Sequence, residues 1–400
     1  MPSSRRPARF PSPLGRFAFS LAAIAAVAIG GSAALTDASS ARPRATVAAA
    51  RADSTAPGRV VKVEPLPQEQ RPSGAGMAER LTYWSTGSDG KPVVTGGRVF
   101  LPSGHRAPRG GWPVISWHHA TVGLAPDCAP SIAGGKKGDT AFLAQWLQHG
   151  YAVVATDYAA MGSPPVQPEL DGRTEAHNAV DMVRAARSAN RSLGRRWIAV
   201  GHSEGGHAAL FTAANATRFA PELDFRGTIA LAPPSNFVEP ATALGPATPD
   251  VPIPGTVAHI AVILAGLKAA RPDFDLDGYL TSRGRSVIAD AERLCSADLA
   301  QATKGIAVRS MFRKPLSTGD FSRTAHQVMD VPLKGYDRPL LIAHGTNDTT
   351  VPIALTAKLV ADLKLRGADP DFRPYRGVDH GGILAASFPR DLAYAQRLFG

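Results

Sequence analysis

The sequence predicts an α/β fold in which a mostly parallel sheet carries helices on both faces. Three observations predict it. Unbroken apolar runs of strand length, at 113–117, 151–156, 197–200, 228–231 and 340–343, alternate with stretches whose apolar residues recur at helical spacing. One such run leads through Gly201-His202-Ser203-Glu204-Gly205-Gly206 straight into Ala208-Ala209-Leu210-Phe211, a strand, a sharp turn and a helix. The alternation then stops between Pro234 and about Lys334, which marks an insertion too long to be a loop.

The elements follow in order. Arg5, Arg6, Arg9 and Arg16 precede an apolar, alanine-rich stretch from Phe17 to Ile29. Small residues come next, so residues 1–41 read as a signal peptide with cleavage after Ala34, Ala38 or Ala41. A membrane anchor is the alternative, but the stretch is short and rich in Ala and Gly for a spanning helix. Residues 42–75, rich in Pro, Ala and Arg with no apolar period, read as a linker or an extension.

From Arg80 the pattern changes. Two strands, 81–86 and 93–101, flank the turn-forming tract Gly87-Ser88-Asp89-Gly90. A helix is expected around Phe142, Trp146 and Leu147, and another along Ala176, Ala179, Val180, Val183 and Ala186. The insertion, residues 235–334, opens with prolines and continues into helices at 257–270 and 287–294. We read it as a helical cap placed after the sixth strand, between the two parts of a catalytic domain at 76–234 and 335–400. A last helix with Leu355, Leu359, Val360 and Leu363 follows the strand at 340–343.

Composition narrows the function. The chain of 400 residues is 44% hydrophobic and 19% charged, enough apolar material for one large domain with a sizeable core. The net charge is +11, but the basic residues are scattered and no basic-aromatic stripe occurs, which argues against nucleic acid as a partner. The two cysteines, Cys128 and Cys295, are an even number in an exported chain, so a disulfide is expected, tying the insertion to the core. No Cys/His spacing matches a zinc site.

Chemistry enters at Ser203. A serine on a tight strand-to-helix turn has strained backbone angles, and the glycines on either side remove Cβ atoms that would collide there. A neutral serine is a weak nucleophile and needs a base with an acid behind it. Asp348 lies in the loop just past the strand at 340–343, and His380 sits in Gly377-Val378-Asp379-His380-Gly381-Gly382 after a last strand at 372–375. The order Ser203, Asp348, His380 is the one a nucleophile elbow requires. His344 lies too close to its own strand and precedes the acid. An oxyanion hole needs two N–H donors: Glu204 supplies one, and Ala120 or Thr121 the other, from the loop after the third strand.

These motifs together resemble the secretory lipase family of α/β-hydrolases, fungal lipase A-type enzymes and bacterial secreted relatives among them. The resemblance covers most of residues 78–400. It is carried by Ser116-Trp117-His118-His119-Ala120-Thr121-Val122-Gly123, by Cys128-Ala129-Pro130-Ser131, by Thr156-Asp157-Tyr158, by the elbow through His207, and by His344-Gly345-Thr346-Asn347-Asp348. It implies an α/β-hydrolase fold with a helical cap, a secreted carboxylic ester hydrolase (esterase or triacylglycerol lipase) working through an acyl-enzyme on Ser203, and no cofactor or metal. The substrate would be a small-molecule or lipid ester, with transient contact to lipid surfaces.

Where members of the family often carry Gln, this chain has Glu204. A carboxylate beside a developing oxyanion must be turned away, protonated or paired. Two other readings fit the same residues: a secreted serine peptidase acting on short peptides, and a non-catalytic relative used for binding.

Overall fold

Ile198 and Val200 point to one side of the central strand, Trp197 and Ala199 to the other, and all four are fully buried. Such two-sided burial needs a layer on each face of the sheet. The computed structural model describes residues 54–159, 166–249 and 253–400. The expected signal peptide lies outside the described residues.

Among the described residues nine strands form one sheet: β1 (Val60–Pro65), β2 (Ala75–Thr86), β3 (Pro92–Pro102), β4 (Trp112–His118), β5 (Ala152–Thr156), β6 (Leu193–His202), β7 (Asp224–Leu231), β8 (Leu340–Gly345) and β9 (Asp371–Tyr375). Their spatial order is β1-β2-β3-β5-β4-β6-β7-β8-β9. β1, β2 and β3 pair antiparallel, as do β3 and β5, and the remaining pairs are parallel.

The chain thus reverses direction across the sheet between β4, which pairs β5 on one side, and β6 on the other. A ligand site in an open α/β sheet forms at such a switch point, beyond the carboxyl ends of the strands. The ends of β4 and β6 meet there, with His118 opposite Gly201.

The helices before the insertion are α1 (Pro130–Ala133), α2 (Lys137–Gln148), α3 (Gly172–Ala189) and α4 (Glu204–Phe219). The insertion holds α5 (Val238–Ala241), α6 (Thr256–Ala270), α7 (Ser282–Arg293), α8 (Ser296–Ala302) and α9 (Phe321–Met329); α10 (Ile353–Leu365) and α11 (Ile383–Phe399) close the fold. One face of the sheet, with Ile115, Trp117, Val153 and Ile198, packs on α2 and α11. Trp146 and Phe388 bridge those two helices with ring centroids 5.1 Å apart. The other face, with Val114, Val154, Trp197 and Ala199, packs on α3 and α4. The insertion has its own apolar core, in which Val262, Leu264 and Ile288 pack with Met311 and Phe321.

Three details differ from the sequence expectations. Residues 60–65, in the stretch read as a linker or extension, form an edge strand. Their β-branched residues extend the sheet by pairing with β2, and Val61 and Val63 remain exposed. In chain order the insertion therefore follows the seventh strand rather than the sixth. α7 also begins earlier than its first apolar residue suggests, because Thr281 caps it by accepting from the Gly284 N–H.

Cys128 and Cys295 form a disulfide across a sequence separation of 167. Beside it Gly123 pairs with Cys295 in an antiparallel bridge, and the Ser296 N–H donates to the Val122 carbonyl at 2.9 Å. The insertion is thus sewn to the loop that follows β4.

Candidate active site

Ser203 is the residue between β6 and α4, at φ 57° and ψ −123°, a conformation side-chain-bearing residues rarely adopt. What holds it there is crowding that only glycine permits. A Cβ on Gly201 would overlap the Gly205 carbonyl, and one on Gly205 would overlap the His118 carbonyl. The Ser203 N–H donates to the Leu231 carbonyl at 2.9 Å, which ties the turn to the end of β7.

His380 and Asp348 meet the serine from loops at the same sheet edge. The Ser203 hydroxyl lies 2.9 Å from His380 Nε2, and His380 Nδ1 lies 2.6 Å from Asp348 Oδ2. A carboxylate only accepts, so Nδ1 carries the proton and Nε2 is left to accept from the serine. Asp348 Oδ1 accepts from the backbone N–H groups of Thr350 and Val351 at 2.9 and 2.8 Å. Burial alone would raise the Asp348 carboxyl, but hydrogen bonds from His344 and His380 outweigh it and hold the group well below the usual carboxylate range.

Two histidines that the sequence did not single out support this chain. His344 Nε2 donates to Asp348 Oδ2 at 3.1 Å and is shared with the Val351 carbonyl at 2.9 Å. It is the wrong residue for a base but a second donor to the acid; the four-residue spacing to Asp348 was the available signal. His202 Nε2 donates to the His380 carbonyl at 2.8 Å, with the two rings 4.7 Å apart. Burial drives the His202 imidazole down to about 3, so this brace is uncharged. His118 and His119 are buried and pushed down to about 3 in the same way, in keeping with a structural role.

The expected oxyanion residues converge on one space. Ser203, Glu204 and Thr121 all line a cavity of about 170 Å³, together with Leu170 and with Val262 and Ile263 of α6. Ala120 is buried and is not part of that lining. Phe237 and Ile263 also bound a smaller space of about 50 Å³ farther into the insertion, where every lining side chain is apolar. A larger depression of about 620 Å³, between Ile253–Val257 and Ala297–Val308, shares no lining residue with the serine's cavity.

Glu204 is fully enclosed rather than turned out to solvent. Gln167 Nε2 donates to its Oε1 at 2.7 Å, while its Oε2 is buried without a partner beside Glu169, which lines the same cavity and also has a buried, unpartnered Oε2. Thr121 Oγ1 donates to Glu169 Oε1 at 2.6 Å. Burial, with Glu169 and Glu175 nearby, pushes the Glu204 carboxyl well above its ordinary value, which favours its protonated form. No cluster able to hold a metal ion occurs among the described residues.

A switch-point site with a serine on a glycine-flanked elbow, a histidine in reach and a buried aspartate behind it is the arrangement found in hydrolases of the α/β-hydrolase fold. The model of the secretory lipase family matches residues 135–396, and the chain belongs to that family. It is a secreted carboxylic ester hydrolase. It is 24% identical over 341 residues to a secreted triacylglycerol lipase of Malassezia globosa, a match spanning 78% of this chain and 70% of that one. Its fold matches that of Candida antarctica lipase A in its closed state, with a TM-score of 0.69 and 22% identity over 86% of this chain and 83% of that one. The rice cell wall degrading esterase of Xanthomonas oryzae matches with a TM-score of 0.68 and 18% identity over 86% and 97% of the two chains.

Proposed function

We propose that Ser203, His380 and Asp348 are the catalytic triad of this ester hydrolase. The observation that carries the proposal is the unbroken chain from Ser203 Oγ through His380 to Asp348 Oδ2, opening onto the apolar cavity. His380 takes the serine proton as Oγ attacks the ester carbonyl, and a tetrahedral oxyanion forms. The backbone N–H groups of Glu204 and Thr121 receive that oxyanion. His380 then protonates the leaving alcohol, and water repeats the cycle on the acyl-enzyme to release the acid.

Residues 235–334 act as a cap that supplies the apolar wall of the acyl site through α6. The narrow cavity and the apolar space behind Phe237 and Ile263 fit a linear acyl chain better than a bulky or charged acyl group. Removal of the signal peptide by cleavage after Ala34, Ala38 or Ala41 leaves the mature chain secreted or periplasmic.

The test is a chain-length series of p-nitrophenyl esters beside a panel of peptide p-nitroanilides, with the unmodified protein and Ser203→Ala. The expected result is ester turnover that peaks at an intermediate acyl length and falls in Ser203→Ala to a residue of roughly 10⁻⁶ of kcat. Retained activity in Ser203→Ala overturns the triad. Amide turnover with negligible ester turnover overturns the substrate class.

A further inference from the structure

Two segments far apart in sequence supply the two oxyanion donors, and a single buried contact joins them. Glu204 opens α4, so its N–H is the donor next to the nucleophile, while its side chain turns inward. There it shares a cavity with Glu169, whose Oε1 accepts from the Thr121 hydroxyl at 2.6 Å. Both carboxyl groups keep a second oxygen, Oε2, that is buried and has no other donor. Two bare carboxylates would have nothing to offer each other; one proton between them satisfies both.

Glu169 cannot retreat. A Cβ on Gly266 of α6 would come within 2.5 Å of Glu169 Cβ and 2.6 Å of its backbone nitrogen, so the cap helix presses directly on this residue. Thr121 is held from its other side as well, where Lys136 Nζ and Ser296 Oγ donate to its carbonyl at 2.6 and 3.3 Å.

We propose that Glu204 and Glu169 share one proton, and that this shared proton is the clasp that sets the two oxyanion donors at their working distance. The proposal rests on the ester-hydrolase reading with Ser203 as nucleophile and adds Glu204 and Glu169 as positioning residues through their side chains. Loss of the proton leaves two negative carboxylates in contact. They separate, drawing Thr121 one way and the start of α4 the other, and they add negative charge where the oxyanion must form.

The charged and titratable groups around the pair set when this happens. Glu175 of α3 adds negative charge and is itself raised by burial while it bonds the Leu170 N–H and His207. The Tyr158 hydroxyl is buried nearby. Lys136 is the cation facing Glu169. From the cap, His259 faces the same cavity. Burial and the neighbouring Glu175 both favour the protonated pair over the effect of Lys136, so the clasp opens on the alkaline side.

The experiment is the pH profile of kcat for p-nitrophenyl butanoate between about pH 6 and about pH 10, each protein normalised to its own maximum. It uses the unmodified protein, Glu204→Gln and Thr121→Val, with Ser203→Ala as control and circular dichroism checked at each pH. Glutamine at 204 donates to Glu169 and accepts from Gln167 at every pH, so its alkaline limb is expected at least about one pH unit higher than that of the unmodified protein. Thr121→Val keeps the N–H but loses the anchor, and kcat is expected to fall roughly tenfold while KM changes little. Superimposable alkaline limbs in folded Glu204→Gln and unmodified protein overturn the clasp. A Thr121→Val enzyme with undiminished kcat overturns it too, and decides the matter if Glu204→Gln does not fold. Ester turnover that survives in Ser203→Ala would instead strike at the hydrolase reading beneath it.

Discussion

Asp348 illustrates how much a single side chain is asked to do. Its Oδ1 closes a turn by accepting two backbone N–H groups, and its Oδ2 accepts from two histidines. Replacement by Asn keeps the turn, because Asn Oδ1 still accepts, but presents an amide N–H to His380 Nδ1. The imidazole must then take the opposite tautomer, with a proton on the nitrogen that faces Ser203. Asp348→Asn is expected to lower kcat by roughly 10⁴-fold with a near-native fold, as ester assays beside circular dichroism would show.

Ser203 and its flanking glycines were legible because the steric demand is local: strand, turn and helix lie within a dozen residues. The identity of the acid's second donor was not, since His344 looks like any strand-end histidine until β8 and the loop after it curl around Asp348.

At the scale of elements, α11 contains a titration of its own. Asp391 is fully buried on this helix, with Ser387 Oγ donating to its Oδ2 at 2.7 Å and its Oδ1 without a partner. Burial pushes its carboxyl up to about 7 from an ordinary 3.8. An acid raised in the folded state contributes stability that is complete below its ordinary value and is lost as pH rises through the raised one. The protein should therefore lose stability from about pH 4 to about pH 7 through this site. Asp391→Asn keeps the acceptor for Ser387 without an ionisation. Its melting temperature relative to the unmodified protein is expected to rise by several degrees over that range. Parallel temperature scans across the range would show this, and a constant difference would rule it out.

Elements with strong period were visible in the sequence: the buried strands, and α3 and α10 with their apolar faces. β1 was not, because six residues at a sheet edge carry little apolar pattern and gain their order from pairing with β2.

For the whole molecule, the helical insertion is held to the sheet by a covalent bond, a backbone bridge and a side-chain contact to Thr121. Removing the disulfide in Cys128→Ser/Cys295→Ser frees a long loop in the unfolded chain, so a loss of about 2–4 kcal/mol is expected. The backbone bridge survives the substitution, so the variant should still fold, with a lower denaturant midpoint and a steeper slope in urea titrations. A midpoint equal to that of the unmodified protein would show that the bridge alone holds the cap.

By itself the sequence determined the alternation that makes an α/β fold, the helical insertion, the elbow at Ser203, the chain order of Asp348 and His380, and membership of a secreted lipase family. Each of these is written in short-range spacing, where backbone sterics and apolar periodicity act over a few residues. Only the tertiary structure decided what becomes of the Glu204 charge. Its partner Gln167 lies 37 residues away, and Thr121, bonded to the neighbouring Glu169, lies 48 residues from that glutamate. No local pattern couples such positions. They are brought together when the sheet, α4 and the cap helix close over them. Only in that dry interior does a second carboxylate turn a misplaced negative charge into a shared proton.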